Sequence, residues 1–274
     1  SDLMRRLVSA GFTHAEANTM YAQLTGIAAT LINLPQVITS AIAISLVPVI
    51  SSAYAVNDIK RTRENTNLAI RVSLLIGLPC AVGLFVLATP IIGLLYPNEP
   101  ASVGGILAIM AIGVVFLSLI QSFTSVLQGM GKAHIPVFNL FVGAAVKFVL
   151  TYVLTALPSL NVKGAAISTV VAYVVAAVLD YFSVKKYLGL KFRVNDFLFR
   201  PLITAGIMGI IARVTYVLTV PFAGNSISTL LAVAVGGVVY VVTLFLTKTI
   251  TREDLKSLPK GKNIIGKLEK MKLM

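Results

Sequence analysis

Apolar residues run along this chain in long blocks separated by short polar stretches. The first block, Leu24 to Ser52, reads LTGIAATLINLPQVITSAIAISLVPVISS and holds no charged residue. At about 1.5 Å per residue, a helix of this length exceeds the roughly 30 Å hydrocarbon core of a bilayer. Similar blocks follow at about Leu68 to Leu95, Ser102 to Leu127, Ile135 to Leu157, Gly164 to Val184, Pro201 to Val220 and Ile227 to Leu246. The pattern predicts about seven membrane-spanning helices. Closely spaced Gly, Ala, Ser and Thr suit helix-on-helix packing, and the alternation of a transmembrane barrel is missing, so the fold class is an all-α integral membrane protein.

Composition agrees with this reading. The 274 residues are 57% hydrophobic and only 12% charged, too few polar side chains to solvate a globular surface. The lone cysteine, Cys80, excludes an intrachain disulfide. The opening SDLMRRLVSAG has neither an initiator Met nor a charged leader, and with an odd number of spans the chain reads as one whose first half has been cut away. Thr13 is the expected cap of the first complete helix.

Charge is distributed by loop. Lys60, Arg61 and Arg63 follow the first block, Lys132 follows the third, several Lys and Arg lie in Lys185 to Arg200, and the tail from Lys248 is basic. The intervening connections carry no positive residue or, at Lys163, one. The positive-inside rule therefore places Asn57 to Glu64, Gly129 to His134, Lys185 to Arg200 and the C-terminus in the cytoplasm. The net charge of +13 is read as attraction to anionic membrane lipids, since no aromatic interleaving or nucleic-acid fold signature accompanies it. Nucleic acid is not an expected partner.

Polar side chains inside the blocks are the candidate functional residues. Asn33 and Gln36 flank Pro35, where a kink facing a cavity is expected; a kinked helix in a tightly packed bundle is the alternative. Gln121 and Gln128, with Ser118, Ser122 and Ser125, fit either interhelical hydrogen bonds or a cavity wall. Lys147 stands near the middle of its block, on a face with Asn139, Gly143 and Thr151. Asp180, beside Lys185 and Lys186, is read as an interfacial ion-pair partner in preference to a proton relay. Arg71 can snorkel, and Arg213 can reach the interface near Tyr216. His14 and His134 fall on opposite sides of the membrane, so no metal site is expected. No cofactor is implied, and with no nucleophile motif or paired carboxylates the chain is not read as an enzyme.

The succession NLP, SLVPVIS, GLP, LQGMGK and KGAA, within DLMRRLVSAG, ANTMYAQLTGIAATLINLPQVITSAIAISLVPVISSAYAVND, VLQGMGKAHIPVFNLFVGAAVKFVLTYVL and VKGAAISTVVAYVV, resembles the stage V sporulation protein B and polysaccharide-exporter branch of the multidrug/oligosaccharidyl-lipid/polysaccharide flippase superfamily. The resemblance implies fourteen helices in two six-helix lobes related by pseudo-symmetry, two extra C-terminal helices, and a V-shaped cavity between the lobes. Residues 1–190 then correspond to the tail of helix seven and helices eight to twelve, 191–250 to helices thirteen and fourteen, and 251–274 to a basic cytoplasmic tail. A lobe preceding this chain becomes an implied partner.

Members of this superfamily move lipid-linked sugar precursors to the outer leaflet by alternating access, and relatives export cationic drugs. The expected function is a flippase for an undecaprenyl-type lipid-linked oligosaccharide or peptidoglycan precursor in the bacterial plasma membrane. A scaffold recruiting cell-wall or spore-envelope enzymes and a drug/cation antiporter are the alternatives. Substrate-path candidates are Asn33, Gln36, Gln121, Lys147, Arg5 and Arg6. In the lipid II branch arginines grip the pyrophosphate, but Leu24 to Ser52 contains no arginine, so none is carried over. The same branch holds a sodium ion in the second lobe, which makes Asn139, Lys147, Ser168 and Thr169 cation-site candidates, the Lys147 ammonium standing in for the ion and bonding Ser168 or Thr169. Attraction of the cargo's pyrophosphate is the rival role for Lys147, and snorkelling outward near Tyr152 the third.

Overall fold

The computed structural model describes residues 8, 12–155, 160–190 and 199–247. Those residues form helices joined by short connections, with no strand among them. The elements are α1 (His14–Ala55), α2 (Ile59–Val86), the short α3 (Ala88–Leu95), α4 (Ser102–Gly129), α5 (His134–Leu154), α6 (Asn161–Leu188) and α7 (Arg200–Leu246). Six of them are long and apolar enough to cross a membrane. The sixth of these, α7, has 47 residues, about 70 Å of helix against a core of roughly 30 Å. It breaks at Gly224, whose φ of 71° and ψ of 176° leave helical space just after Pro221. Counting its two limbs separately gives seven spans.

Packing divides the chain into two compact units, Ser1–Lys191 and Phe192–Met274. In the first, α4 is the central helix: it packs on α1, α2 and α6, and carries the largest buried face. That position follows from its sequence, which has no charged residue and many small ones. At Gly129 an added Cβ would sit 2.9 Å from Ile50 Cγ2 and 3.1 Å from the Val47 carbonyl oxygen, so α1 and α4 meet nearly backbone to backbone. Helices α5 and α6 meet similarly, with Gly143 against the Ala172 carbonyl and Ala176. Small face meets small face there.

In the second unit the limbs of α7 fold back antiparallel. Thr204 and Thr247 lie 3.4 Å apart, Gly236 faces Ala212 and Met208, and Tyr216 donates to Asn225 Oδ1 at 2.9 Å beside the break.

Contacts near the helix ends report which connections share a side of the bundle. Arg63 Nε donates to the Leu188 carbonyl at the end of α6, and Lys132 Nζ lies 4.2 Å from the Tyr187 ring centre. The connections α1–α2 and α4–α5 therefore lie at the same end as the exit of α6. At the opposite end, Gln23 Nε2 donates to Glu99 Oε2 at 2.7 Å, and Lys163 lies against Gly105.

Local structure meets the sequence expectations at some points and departs from them at others. The cap at Thr13 forms as a reciprocal box with Glu16. The irregular turn of α1 is a π-helical stretch at Gln23–Ala28, upstream of Pro35, and the α-helix continues through Pro35 and Pro48. Thr39 Oγ1 donates back to the Pro35 and Gln36 carbonyls, so its hydroxyl is satisfied within its own helix. The block Leu68 to Leu95 is two helices, since Leu87 leaves helical space (φ −105°, ψ 19°) and Pro90 sits in the first turn of α3, where no donor is needed. The basic segment Asn57 to Glu64 is mostly the start of α2, which Asp58 caps by accepting from the Arg61 amide.

This alternation can be tested by labelling. Single cysteines introduced at Asn98 and Lys163 should react from one side of the membrane, and one at Lys132 from the other. Labelling of Asn98 and Lys132 positions from the same side would contradict the bundle order.

Candidate functional site

A cleft of about 310 Å³ opens in the first unit between α1, α4, α5 and α6. Its polar wall is Gln36 from α1, Gln121 from α4, Lys147 from α5 and Tyr173 from α6, and the rest is aliphatic. Each helix delivers its residue for a local reason. Pro35 is buried against the bundle, and the adjacent Gln36 lies at the cleft edge. On α4 the buried face holds Ser118, Ser122 and Ser125, leaving Gln121 beside the cleft. Gly143 brings α5 so close to α6 that Lys147, one turn further on, shares their seam.

Lys147 is the one charged residue in the wall of this cleft. Its ammonium makes no hydrogen bond to any described residue. The expected bonds to Ser168 and Thr169 do not form: Ser168 is paired with Thr151 at 2.6 Å and donates to Ala165 O, and Thr169 donates to the same carbonyl at 2.9 Å. Neither hydroxyl is hydrogen-bonded to Lys147 in this arrangement. Asn139 lies two turns away and is engaged with Asp180. The four cation-site candidates are thus not one cluster.

Of the substrate-path candidates, Gln36, Gln121 and Lys147 come together. Asn33 is exposed and is not part of the cleft wall, although it lies one turn before Gln36 on the same helix. Arg5 and Arg6 lie outside the described residues. Gln128 is exposed and also outside the wall, while Ser122 bonds Ser73 and the Ala69 carbonyl, so the polar row on α4 serves both roles that its sequence allowed.

One further expectation changes. Asp180 is buried and bonded to Asn139, not paired with Lys185 or Lys186 at the surface, because its side chain turns into the α5–α6 seam. Arg213 lies 5.6 Å from the Tyr216 ring centre, as its spacing allowed. Tyr173 was not singled out as a wall residue. Its four-residue spacing from Thr169 and Ala177 was the available signal.

A lone ammonium in a part-polar cleft on an apolar helix bundle suits an anionic oxygen ligand. The long apolar helices define a multi-pass helical membrane protein. The family model described as lipid II flippase MurJ matches residues 18–235. The chain belongs to that family.

Stage V sporulation protein B of Bacillus subtilis (strain 168) is 28% identical over 96% of this chain and 49% of its own length. The lipid II flippase MurJ of the same organism is 24% identical over 86% of this chain and 45% of its own. A solved structure titled lipid II flippase MurJ, inward closed conformation, superposes with a TM-score of 0.62 at 20% identity, covering 80% of this chain and 47% of that one. That likeness supports the fold. The chain spans about half the length of the curated relatives it matches.

Water access separates the cleft face of α5 from its lipid face. With Cys80 replaced by Ser, Lys147→Cys should react with a charged, membrane-impermeant thiol reagent, whereas Phe148→Cys, 61% exposed on the apolar surface, should not. Equal reactivity at the two positions would contradict the placement of Lys147.

Proposed function

We propose that the protein carrying this chain is a flippase that moves an undecaprenyl-type lipid-linked oligosaccharide or peptidoglycan precursor to the outer leaflet by alternating access. This chain supplies one wall of the path, and the remaining half of the protein supplies the other. The observation that carries the reading is the cleft, where Lys147 is joined by two amides and a phenol among aliphatic residues. Such a surface attracts a phosphate-bearing head and offers hydrogen bonds to sugar hydroxyls, while the surrounding apolar helices suit the lipid tail.

Placing a lysine at the centre of a membrane helix costs about 2.5–3.5 kcal/mol on insertion scales. Access to water and contact with an anionic cargo offset that cost in use. Residues 1–190 act as the lobe, 191–250 as two added helices, and 251–274 as a basic tail toward anionic lipids. The ends rich in Lys and Arg face the cytoplasm, so the C-terminus is cytoplasmic in a bacterial plasma membrane. The printed names of the relatives support a lipid-linked cargo.

Flipping of a labelled lipid-linked precursor by the full-length protein in liposomes tests this. A charge-assisted hydrogen bond contributes about 1.5–3 kcal/mol, so Lys147→Ala and Lys147→Met should each lose about tenfold or more in rate. Undiminished flipping in both variants, with the protein folded, would contradict the assignment.

A further inference from the structure

Asp180 lies two turns from the end of α6 and is 1% exposed. Its Oδ1 accepts from Asn139 Nδ2 at 2.7 Å, while Oδ2 is buried and has no hydrogen-bond partner. Asn139 is buried too, and its amide nitrogen lies 3.4 Å from Ser183 Oγ, whose own proton goes to the Leu179 carbonyl. No residue of this cluster lines the cleft, and Asn139 is two turns along α5 from Lys147.

The ionisable groups on the elements packed around it are few. On α6 they are Lys163, Tyr173, Tyr181, Lys185, Lys186 and Tyr187, of which Lys185 and Lys186 are exposed beyond the site. On α5 they are His134, exposed at the first residue, Lys147 and Tyr152. Across Ser102–Gly129, α4 has none. From α2 come Lys60, Arg61, Arg63, Glu64, Arg71 and Cys80, and Arg63 is bonded to the Leu188 carbonyl. None of them gives Oδ2 a partner.

A carboxylate ion so buried, with a single amide donor and no cation, is far costlier than the neutral acid. In the acid, Oδ1 is a carbonyl that suits the Asn139 donor, and the proton resides on Oδ2. We propose that Asp180 is a proton-binding site: it keeps its proton while α5 and α6 are packed as in this structure, and exchanges it when the seam at Asn139 opens. On opening, the Oδ2–H bond breaks, the proton passes to water, and the carboxylate left behind is hydrated. A proton that binds one packing of the two helices better than another shifts the balance between them, which ties the state of the lobe to pH. The inference rests on the membrane reading of the chain and is independent of which cargo is carried.

Infrared difference spectroscopy of the full-length protein in lipid nanodiscs, near neutral pH and without sodium, reads the acid directly. Wild type should show a protonated-carboxyl carbonyl band that Asp180→Asn lacks. Asn139→Leu should keep the band and move it to higher wavenumber, since the carbonyl loses its donor, and this variant decides the matter if Asp180→Asn does not fold. Identical acid bands in wild type and Asp180→Asn, or an unshifted band in Asn139→Leu, would overturn the proposal. Loss of the wild-type band on adding sodium would also overturn it, in favour of a metal cation at the same oxygens.

Discussion

An ammonium group part-way along a membrane helix must be given water or an anion, and that constraint organises the first unit. Lys147 cannot turn to the aliphatic surface of α5, where Phe141, Phe148 and Val149 are exposed, without leaving its charge in hydrocarbon. It lies instead where four helices leave a gap, and the amides and phenol of the cleft come from the other three. The close approach of α5 to α6 at Gly143 keeps that geometry, because any side chain there would meet the Ala172 carbonyl. Packing and site therefore share residues.

Two polar levels occur along the α5–α6 seam besides the cleft. Thr151 and Ser168 close one level with a direct hydroxyl pair, and Asn139, Asp180 and Ser183 form the other. The first is self-satisfied; the second leaves one oxygen unmatched. A buried polar group without its partner is the kind of feature a moving element carries, since a second arrangement can satisfy what the first does not.

Spans and their alternation were legible in the sequence because a bilayer imposes a length and forbids charge, so blocks such as Ser102 to Leu127 declare themselves. Gathering Gln36, Gln121 and Lys147 into one cleft was partly legible, each being a polar residue on an apolar helix. Their meeting was not, because it depends on the rotation of each helix, set by glycine contacts such as Gly129 on Val47. The same cause hid the Asn139–Asp180 bond: both residues were visible, but their common depth follows only once α5 and α6 are laid antiparallel. The π-helical turn at Gln23–Ala28 carried no proline signal, so it was not legible in the sequence.

Occupancy of the cleft by a lipid-linked anion is the central claim, and site-directed photo-crosslinking in membranes containing a labelled lipid-linked precursor tests it most directly. A photoreactive residue at Gln121 should capture the precursor, with capture falling when Lys147 is also changed to Met, while one at Phe141 on the apolar surface should capture only bulk lipid. Equal capture of the precursor from Gln121 and Phe141, unaffected by Lys147→Met, would contradict the account.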